Sequence, residues 1–318
     1  MPRLSKKRVL YVGTPPFSQD DAVLTWNARV KPIDGPTAKK RRNSFRFGQN
    51  VHYHTAPFNR FTFSVELARN VSGLVEPAWF RLLRLCAFNT FTNTVPSPDQ
   101  ATALLRPGGD VTEDLTIAIN IDGVEYAATG IVGNVTLSLS ANSLPLLNFE
   151  LIGNYVEPSD VAIPTDSDWS AYRAPQPINC NHTTATVHGE SVILYSFDLN
   201  VGNKLEHKCS PGRSVAYIAD RESTFSIVIE ESLTTEKNWY ADILERDNSA
   251  IVIEHDDVFV SLSSAQLHTS DLEDRSGITA LSMRGLAIDS VSIYMPLQSD
   301  LSLSYDGSNI YNGSIIYQ

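Results

Sequence analysis

Residues 130–155, GIVGNVTLSLSANSLPLLNFELIGNY, constrain the fold more than any other stretch of the chain. Val135, Leu137 and Leu139 alternate with Thr136, Ser138 and Ser140. After Ala141-Asn142-Ser143, Leu147, Phe149 and Leu151 alternate with Asn148, Glu150 and Ile152. Side chains on a strand point to opposite faces in turn, so each run buries one face and wets the other. The polar break between the runs makes them a hairpin. Apart from Ile152, the wet face is small and polar, with neither Lys nor Arg: a smooth surface to which little would adhere. The plainest context for it is a soluble β-domain.

The rest of the chain reads mainly β. Strand alternation recurs at Phe61, Phe63, Val65 and Leu67, and again at Phe225, Ile227 and Ile229. Strands are also predicted over 22–31, 192–199, 258–267 and 277–288, and around the Asp122-Gly123 turn. One helix is predicted along EPAWFRLLRLCAF, where Trp79, Leu82, Leu83 and Cys86 form one apolar stripe behind a Glu76-Pro77 start. A second is predicted over 235–244. Residues 1–20 read as irregular and 89–115 as loop. Pro32 to Gln49 reads as a long polar loop carrying Lys39, Lys40, Arg41 and Arg42, and loops of that length are usually functional or disordered. Pro158, Pro164, Pro175 and Pro177 mark a linker. The expected organisation is a first module at 1–157, a linker at 158–177, and a second module at 178–318 ending in a hairpin or extended tail.

The two blocks match each other. Thr62-Phe63-Ser64-Val65 corresponds to Thr224-Phe225-Ser226-Ile227, and Trp79-Phe80 to Trp239-Tyr240, at nearly constant spacing. Leu137-Ser138-Leu139-Ser140 pairs with Val260-Ser261-Leu262-Ser263. A shared order of strand, helix, strand, strand at this period indicates duplicated domains and not a solenoid.

Composition narrows the class. Of 318 residues, 42% are hydrophobic and 19% charged, a globular balance. No apolar run approaches the roughly 18 residues of a membrane span. The N-terminal stretch lacks the apolar segment of a secretory signal. Cys86, Cys180 and Cys209 are odd in number and show no CxxC spacing, which predicts neither a disulfide framework nor a zinc site and suits folding in a reducing cytosol. Residues 1–60 carry twelve Lys and Arg against three Asp, a net +9; with −11 overall, the remainder carries −20. A basic arm on an acidic body suits self-association of unlike surfaces, with nucleic-acid binding by the arm as the rival. No GxSxG, HExxH or Walker sequence is present, so no enzymatic activity and no cofactor is expected. His52 and His54 share a strand face but lack a third metal ligand. The turn DLEDRSG at 271–277 does not have EF-hand spacing.

With these runs in view, the chain resembles the major tail tube proteins of long-tailed, non-contractile bacteriophages. The resemblance rests on VELARNVSG, EPAWFRLLRLCAF and DGVEYAATGIVGNVTLSLSANSLPLLNFELIGNYVEP in the first block, and on FDLNVGN, IADRESTFSIVIEE and SGITALSMRGLAI in the second. It implies a mainly β chain of two tandem β-sandwich modules, each with one flanking α-helix, whose strands join a ring-shaped barrel on assembly. Six modules close such a ring, so three two-module chains would suffice, where single-module relatives need six. Four strands per module make about 24 strands, and at ~4.8 Å each the diameter is about 37 Å before tilt, wide enough for a hydrated duplex.

The resemblance further implies a virion tail protein, assembled in the host cytoplasm, that conducts double-stranded DNA. Its implied partners are copies of itself, the tail terminator and distal tail proteins, and a tape measure protein inside the tube during assembly. The expected bore lining is Ser64, Glu66, Thr136, Ser138, Ser140 and Glu150 from the first module, with Ser226, Glu230, Ser261 and Ser263 from the second. None is cationic, and a bore without cations would let DNA slide instead of holding it by counterion release. The alternative places these faces on the outside. Lys39, Lys40, Arg41 and Arg42 are assigned to contact between rings, against Glu254, Asp256 and Asp257 or Asp271, Glu273 and Asp274. The competing function is a sandwich binding or adhesin module, which would display Trp and Tyr on loops.

Overall fold

The computed structural model describes the chain except residues 1–3, 5, 19–20, 40–50, 70–76, 78, 94–99, 112–113, 164–172, 257 and 297–318. The first half contains β1 (Arg8–Gly13), β2 (Ala22–Val23), β3 (Trp26–Asp34), β4 (Thr37–Lys39), β5 (His52–His54), β6 (Phe58–Glu66) and helix α1 (Trp79–Leu85). It continues through β7 (Phe88–Asn93), β8 (Gln100–Leu105), β9 (Thr116–Ile121), β10 (Val124–Ser140), β11 (Leu146–Tyr155) and β12 (Ser159–Asp160). The second half contains β13 (Thr183–Val187), β14 (Glu190–Val192), β15 (Leu194–Asn200), β16 (Asn203–Ser210), β17 (Arg213–Arg221) and β18 (Thr224–Glu230). Helix α2 (Trp239–Glu245) follows, then β19 (Asn248–His255), β20 (Val258–Arg275), β21 (Ile278–Ala287) and β22 (Val291–Pro296). All pairings are antiparallel, and the fold is mainly β.

Two long strands organise the sheets. The start of β10 pairs with β9 and β12, and its later part with β11 and β15. The start of β20 pairs with β19 and β22, and its later part with β21. The register slips between Thr129 and Val132 on β10, and between Leu267 and Thr269 on β20. Such slips bend a strand, so each long strand leaves one sheet and enters another. One eight-stranded sheet results, in the order β3-β6-β11-β10-β15-β18-β21-β20. Behind it lie β2-β1-β9-β10-β12 in the first half and β14-β13-β19-β20-β22-β8-β7 in the second. Among the described residues these pairings form an open, branched network, and no path of pairings returns to its starting strand.

The connectivity repeats almost strand for strand. Strands β1, β2, β3, β6, β9, β10, β11 and β12 have the same partners within the first half as β13, β14, β15, β18, β19, β20, β21 and β22 have within the second. A hairpin separates the third and fourth strands of each half: β4–β5 in the first, β16–β17 in the second. The hairpin β7–β8 has no counterpart, and pairs across to β22. Both helices begin on a buried Trp whose indole N–H donates to the segment before the helix, Trp79 to Ala68 O at 2.8 Å and Trp239 to Ser232 Oγ at 3.2 Å.

The expected match of Leu137–Ser140 with Val260–Ser263 is corrected by the pairings. Val260–Ser263 lies in the opening part of β20, whereas Leu137–Ser140 lies in the closing part of β10. With Ser64 set against Ser226, the ladders place Thr136 against Thr269, Ser138 against Asp271 and Leu139 against Leu272. Strand β20 runs on for twelve residues past the sequence match, and that tail is acidic and does not resemble Leu-Ser-Leu-Ser.

Further expectations change. The segment 1–20 contains β1, whose Leu10 and Val12 are buried against β9. The loop predicted over 89–115 contains β7 and β8. The loop predicted over Pro32–Gln49 holds the end of β3 and all of β4, and the stretch 203–221, for which no element was predicted, is a hairpin. Helix α2 begins only at Trp239, with the Asn238 side chain accepting from Ala241 N–H at 3.1 Å as its cap. The tail beyond 297, the middle of the linker and Glu76 lie outside the described residues.

Buried side chains of both halves form one cluster, in which α1 lies with Trp79, Phe80, Leu82, Leu83 and Leu85 all covered. A Cβ at Gly133 would sit 2.1 Å from Leu151 Cδ2 and 3.0 Å from Cys86 Sγ, where α1 meets β10. Gly133→Ala therefore overpacks this seam. The expected loss is about 1–3 kcal/mol, read as a lower chemical-denaturation midpoint for the full chain; an unchanged midpoint would show that the seam has slack.

Candidate assembly surface

The eight-stranded sheet turns one face to the core and the other outward. Alternation decides which residues point out. On β6 these are Arg60, Thr62, Ser64 and Glu66, while Phe61, Phe63 and Val65 are buried. On β11 they include Asn148 and Glu150, and on β10 Asn134, Thr136, Ser138 and Ser140. The register carries the row onward through Asp198 and Asn200 of β15 and Ser226 of β18 to Arg284 of β21 and Thr269 and Asp271 of β20.

Short polar side chains on this face bond to one another. Ser64 Oγ donates to Asn148 Oδ1 at 2.6 Å, and Asn134 Nδ2 donates to Asn200 Oδ1 at 2.9 Å. The second contact crosses the junction between the halves. Tyr195 OH donates to Glu230 at 3.3 Å. Self-satisfied hydroxyls and amides have few donors left over for a passing ligand.

Some cations on the face are neutralised in place, while Arg29, opposite Thr62 on the edge strand, is exposed. Arg60 bridges Glu150 and Asp34, the latter at 2.9 Å, and Arg275 pairs with Glu273 at 2.8 Å. Partial burial pushes the Asp34 carboxyl up, but donors from Lys31, the Gly35 N–H and Arg60 outweigh it and hold Asp34 below its usual range. Arg284 is exposed in the middle of the second half. Sequence reasoning missed Arg60 and Arg284, because it listed the face by its uncharged and acidic members.

The structure thus brings together Ser64, Glu66, Thr136, Ser138, Ser140, Glu150, Ser226 and Glu230 on one face. It does not bring Ser261 and Ser263 to it. Ser261 pairs with Val252 and Ser292 in the rear sheet, and Ser263 Oγ contacts Ser290. Their counterparts on the shared face are residues of the closing part of β20. Lys39 lies at the end of β4; Lys40, Arg41 and Arg42 lie outside the described residues. Of the proposed acidic groups, Asp271, Glu273 and Asp274 are together at the end of β20, while Glu254 and Asp256 lie at the β19–β20 turn and Asp257 is outside the described residues.

His52 and His54 are exposed on β5. Elsewhere, among the described residues, His188, Asp242 and Asp247 come within metal-ligand reach of one another. The His188 ring donates from Nε2 to Ala265 O at 3.0 Å and faces Asp242 with Nδ1 at 3.1 Å; Lys237 also holds Asp242 at 2.9 Å. Lysine already supplies the countercharge, so this network serves to tie α2 to β20. No protein-family model matches the chain, and a search of the curated proteins returns no match.

Arg60→Met tests the bridge. Asp34 has a depressed folded pKa, so its contribution is present above the ordinary carboxylate value and is lost as pH falls through the folded one. Both partners are partly exposed, so the expected loss is under about 1 kcal/mol at neutral pH, vanishing in acid. A carboxyl titration by NMR should show Asp34 rising toward its usual range; an unmoved Asp34 would refute the bridge.

Proposed function

We propose that the chain is the repeating subunit of the tail tube of a long-tailed, non-contractile bacteriophage. The observation that carries this reading is the eight-stranded sheet: four strands from each half, both edges open among the described residues, and an outward face made mostly of small polar and acidic groups, with Arg60 neutralised and Arg29 and Arg284 exposed. Three such sheets joined edge to edge make a barrel of about 24 strands, wide enough for a hydrated duplex. An open sheet edge offers unpaired backbone groups to another strand, and ring closure removes them. Because every neighbouring strand is antiparallel, β20 of one chain runs correctly to pair with β3 of another. The outward face then lines the bore, and its carboxylates keep the DNA backbone from settling on it.

Rings stack into a tube capped by terminator and distal proteins and templated by a tape measure protein. Among the described residues no helix is long and apolar enough to cross a membrane. For the adhesin reading, aromatics would have to stand out on loops. Trp79 and Trp239 are buried, and Trp26 is exposed on the sheet edge β3; Trp169 and Tyr172 lie outside the described residues.

Electron microscopy with light scattering tests the proposal. The expected result is rings or tubes with a central hole and a ring mass three times that of the chain; a monomer at every concentration overturns it. Glu66→Lys with Glu150→Lys is expected to leave tubes intact but to slow DNA ejection from particles carrying them; unchanged ejection would move this face out of the bore. Alanine at Lys39, Lys40, Arg41 and Arg42 together is expected to leave rings that fail to stack. Normal tube length would remove these residues from the inter-ring contact.

A further inference from the structure

Within one chain, the second half covers two apolar residues of the first. Leu139 of β10 lies opposite Phe197 of β15 and is 0% exposed. Ile152 of β11 is 1% exposed, packed with Phe58 and Val132 beneath Leu205, Ala216 and Ile218 of the β16–β17 hairpin. The repeat supplies a counterpart for each. Leu139 corresponds to Leu272, which is 62% exposed, and Ile152 to Ile288, which is 50% exposed. Among the described residues, no further strand pairs with the closing part of β20 on that side and no hairpin lies over Ile288.

The first half carries the parts that would cover them. Strand β3 stands where β15 stands, and hairpin β4–β5 where β16–β17 does. A left-handed glycine opens each hairpin, Gly35 at φ 121 and Gly202 at φ 74. A Cβ on either would strike the chain as it leaves the hairpin, at Ala56 O (2.3 Å) and Glu222 O (1.9 Å). Counting out from these glycines, the pair Ala38 and Tyr53 falls where Leu205 and Ile218 fall. Tyr53 is 51% exposed and belongs to neither buried cluster of the described residues. Charge agrees: the closing part of β20 carries Asp271, Glu273 and Asp274, and β3 carries Arg29 and Lys31.

We propose that a second copy of this chain repeats the internal junction from outside, laying its β3 along β20 and its β4–β5 hairpin across Ile288. The internal register, Thr136 opposite Asn200 and Ser138 opposite Asp198, sets the external one. Thr269 lies opposite Arg29 of the neighbouring copy and Asp271 opposite its Trp26. Leu272 is covered by the incoming strand, and Tyr53 of the neighbour seats on Ile288. The proposal rests on the reading that copies associate, and specifies the joint between them.

The test uses the full chain with Cys180→Ser and Cys209→Ser, which removes the exposed thiols. Adding Trp26→Cys and Asp271→Cys is expected to give oxidation-dependent interchain crosslinks that end at the ring size. Ile33→Cys with Asp271→Cys, out of register, is expected to give none. Ile288→Asp and Tyr53→Ala alter residues exposed in the single chain, so each is expected to keep the wild-type circular dichroism and melt while weakening association roughly tenfold in sedimentation. Rings that form without the Trp26–Asp271 crosslink, or Ile288→Asp assembling as wild type, overturn this joint and leave the ring reading standing. A chain that never associates overturns both.

Discussion

The structure depends on five residue pairs, the ladder of Thr136–Ser140 against Ser196–Asn200. These backbone hydrogen bonds make the last strand of one half the neighbour of the first strand of the next. Without them the chain would hold two separate four-stranded sheets with four open edges. With them it holds one sheet with two. The ladder also decides burial, because Leu139 and Phe197 face each other across it and both are fully covered.

The two remaining edges are managed differently. Strand β3 carries Pro32, which cannot donate to a ladder and sits where the pairing with β6 slips between Lys31 and Asp34. Strand β20 runs on beyond the body and is lined with carboxylates, which discourage pairing with any strand that does not bring cations. An edge that is repelled by its own kind and attracted to one opposite edge favours a directed, head-to-tail joint over random aggregation. The β3 cations Arg29 and Lys31 belong to the basic first sixty residues, and the β20 carboxylates to the acidic remainder.

Much of the fold was legible where one face is buried and the other wet. The hairpin of β10 and β11, the strands β6 and β18 and the Trp-led helices all announce themselves through alternation or a stripe. What stayed hidden has physical reasons. Strand β1 is buried continuously over Leu10–Val12, so it shows no alternation. Hairpin β16–β17 lies across the outward side of the first half near Ile152, and its contact side is set by that neighbour and not by a core. Ile152 itself broke the polar pattern of its strand, a signal of that cover. Eight members of the outward face were named from period two, but its arginines and its β15 and β20 members were missed, and Ser261 and Ser263 were misplaced, because a bulge on β20 shifts which half of the strand joins the large sheet.

Residue order by itself determined the strand character, the two helices, the doubling, and a wet face of small polar and acidic groups, because each is a local consequence of which side chains alternate. Only the tertiary structure decided that the two halves share one sheet, that Arg60 lies neutralised within that face, and that Leu272 and Ile288 stand bare where Leu139 and Ile152 are covered. Those facts depend on pairing between strands more than fifty residues apart, and strand register is a property of partners that no single stretch of sequence contains.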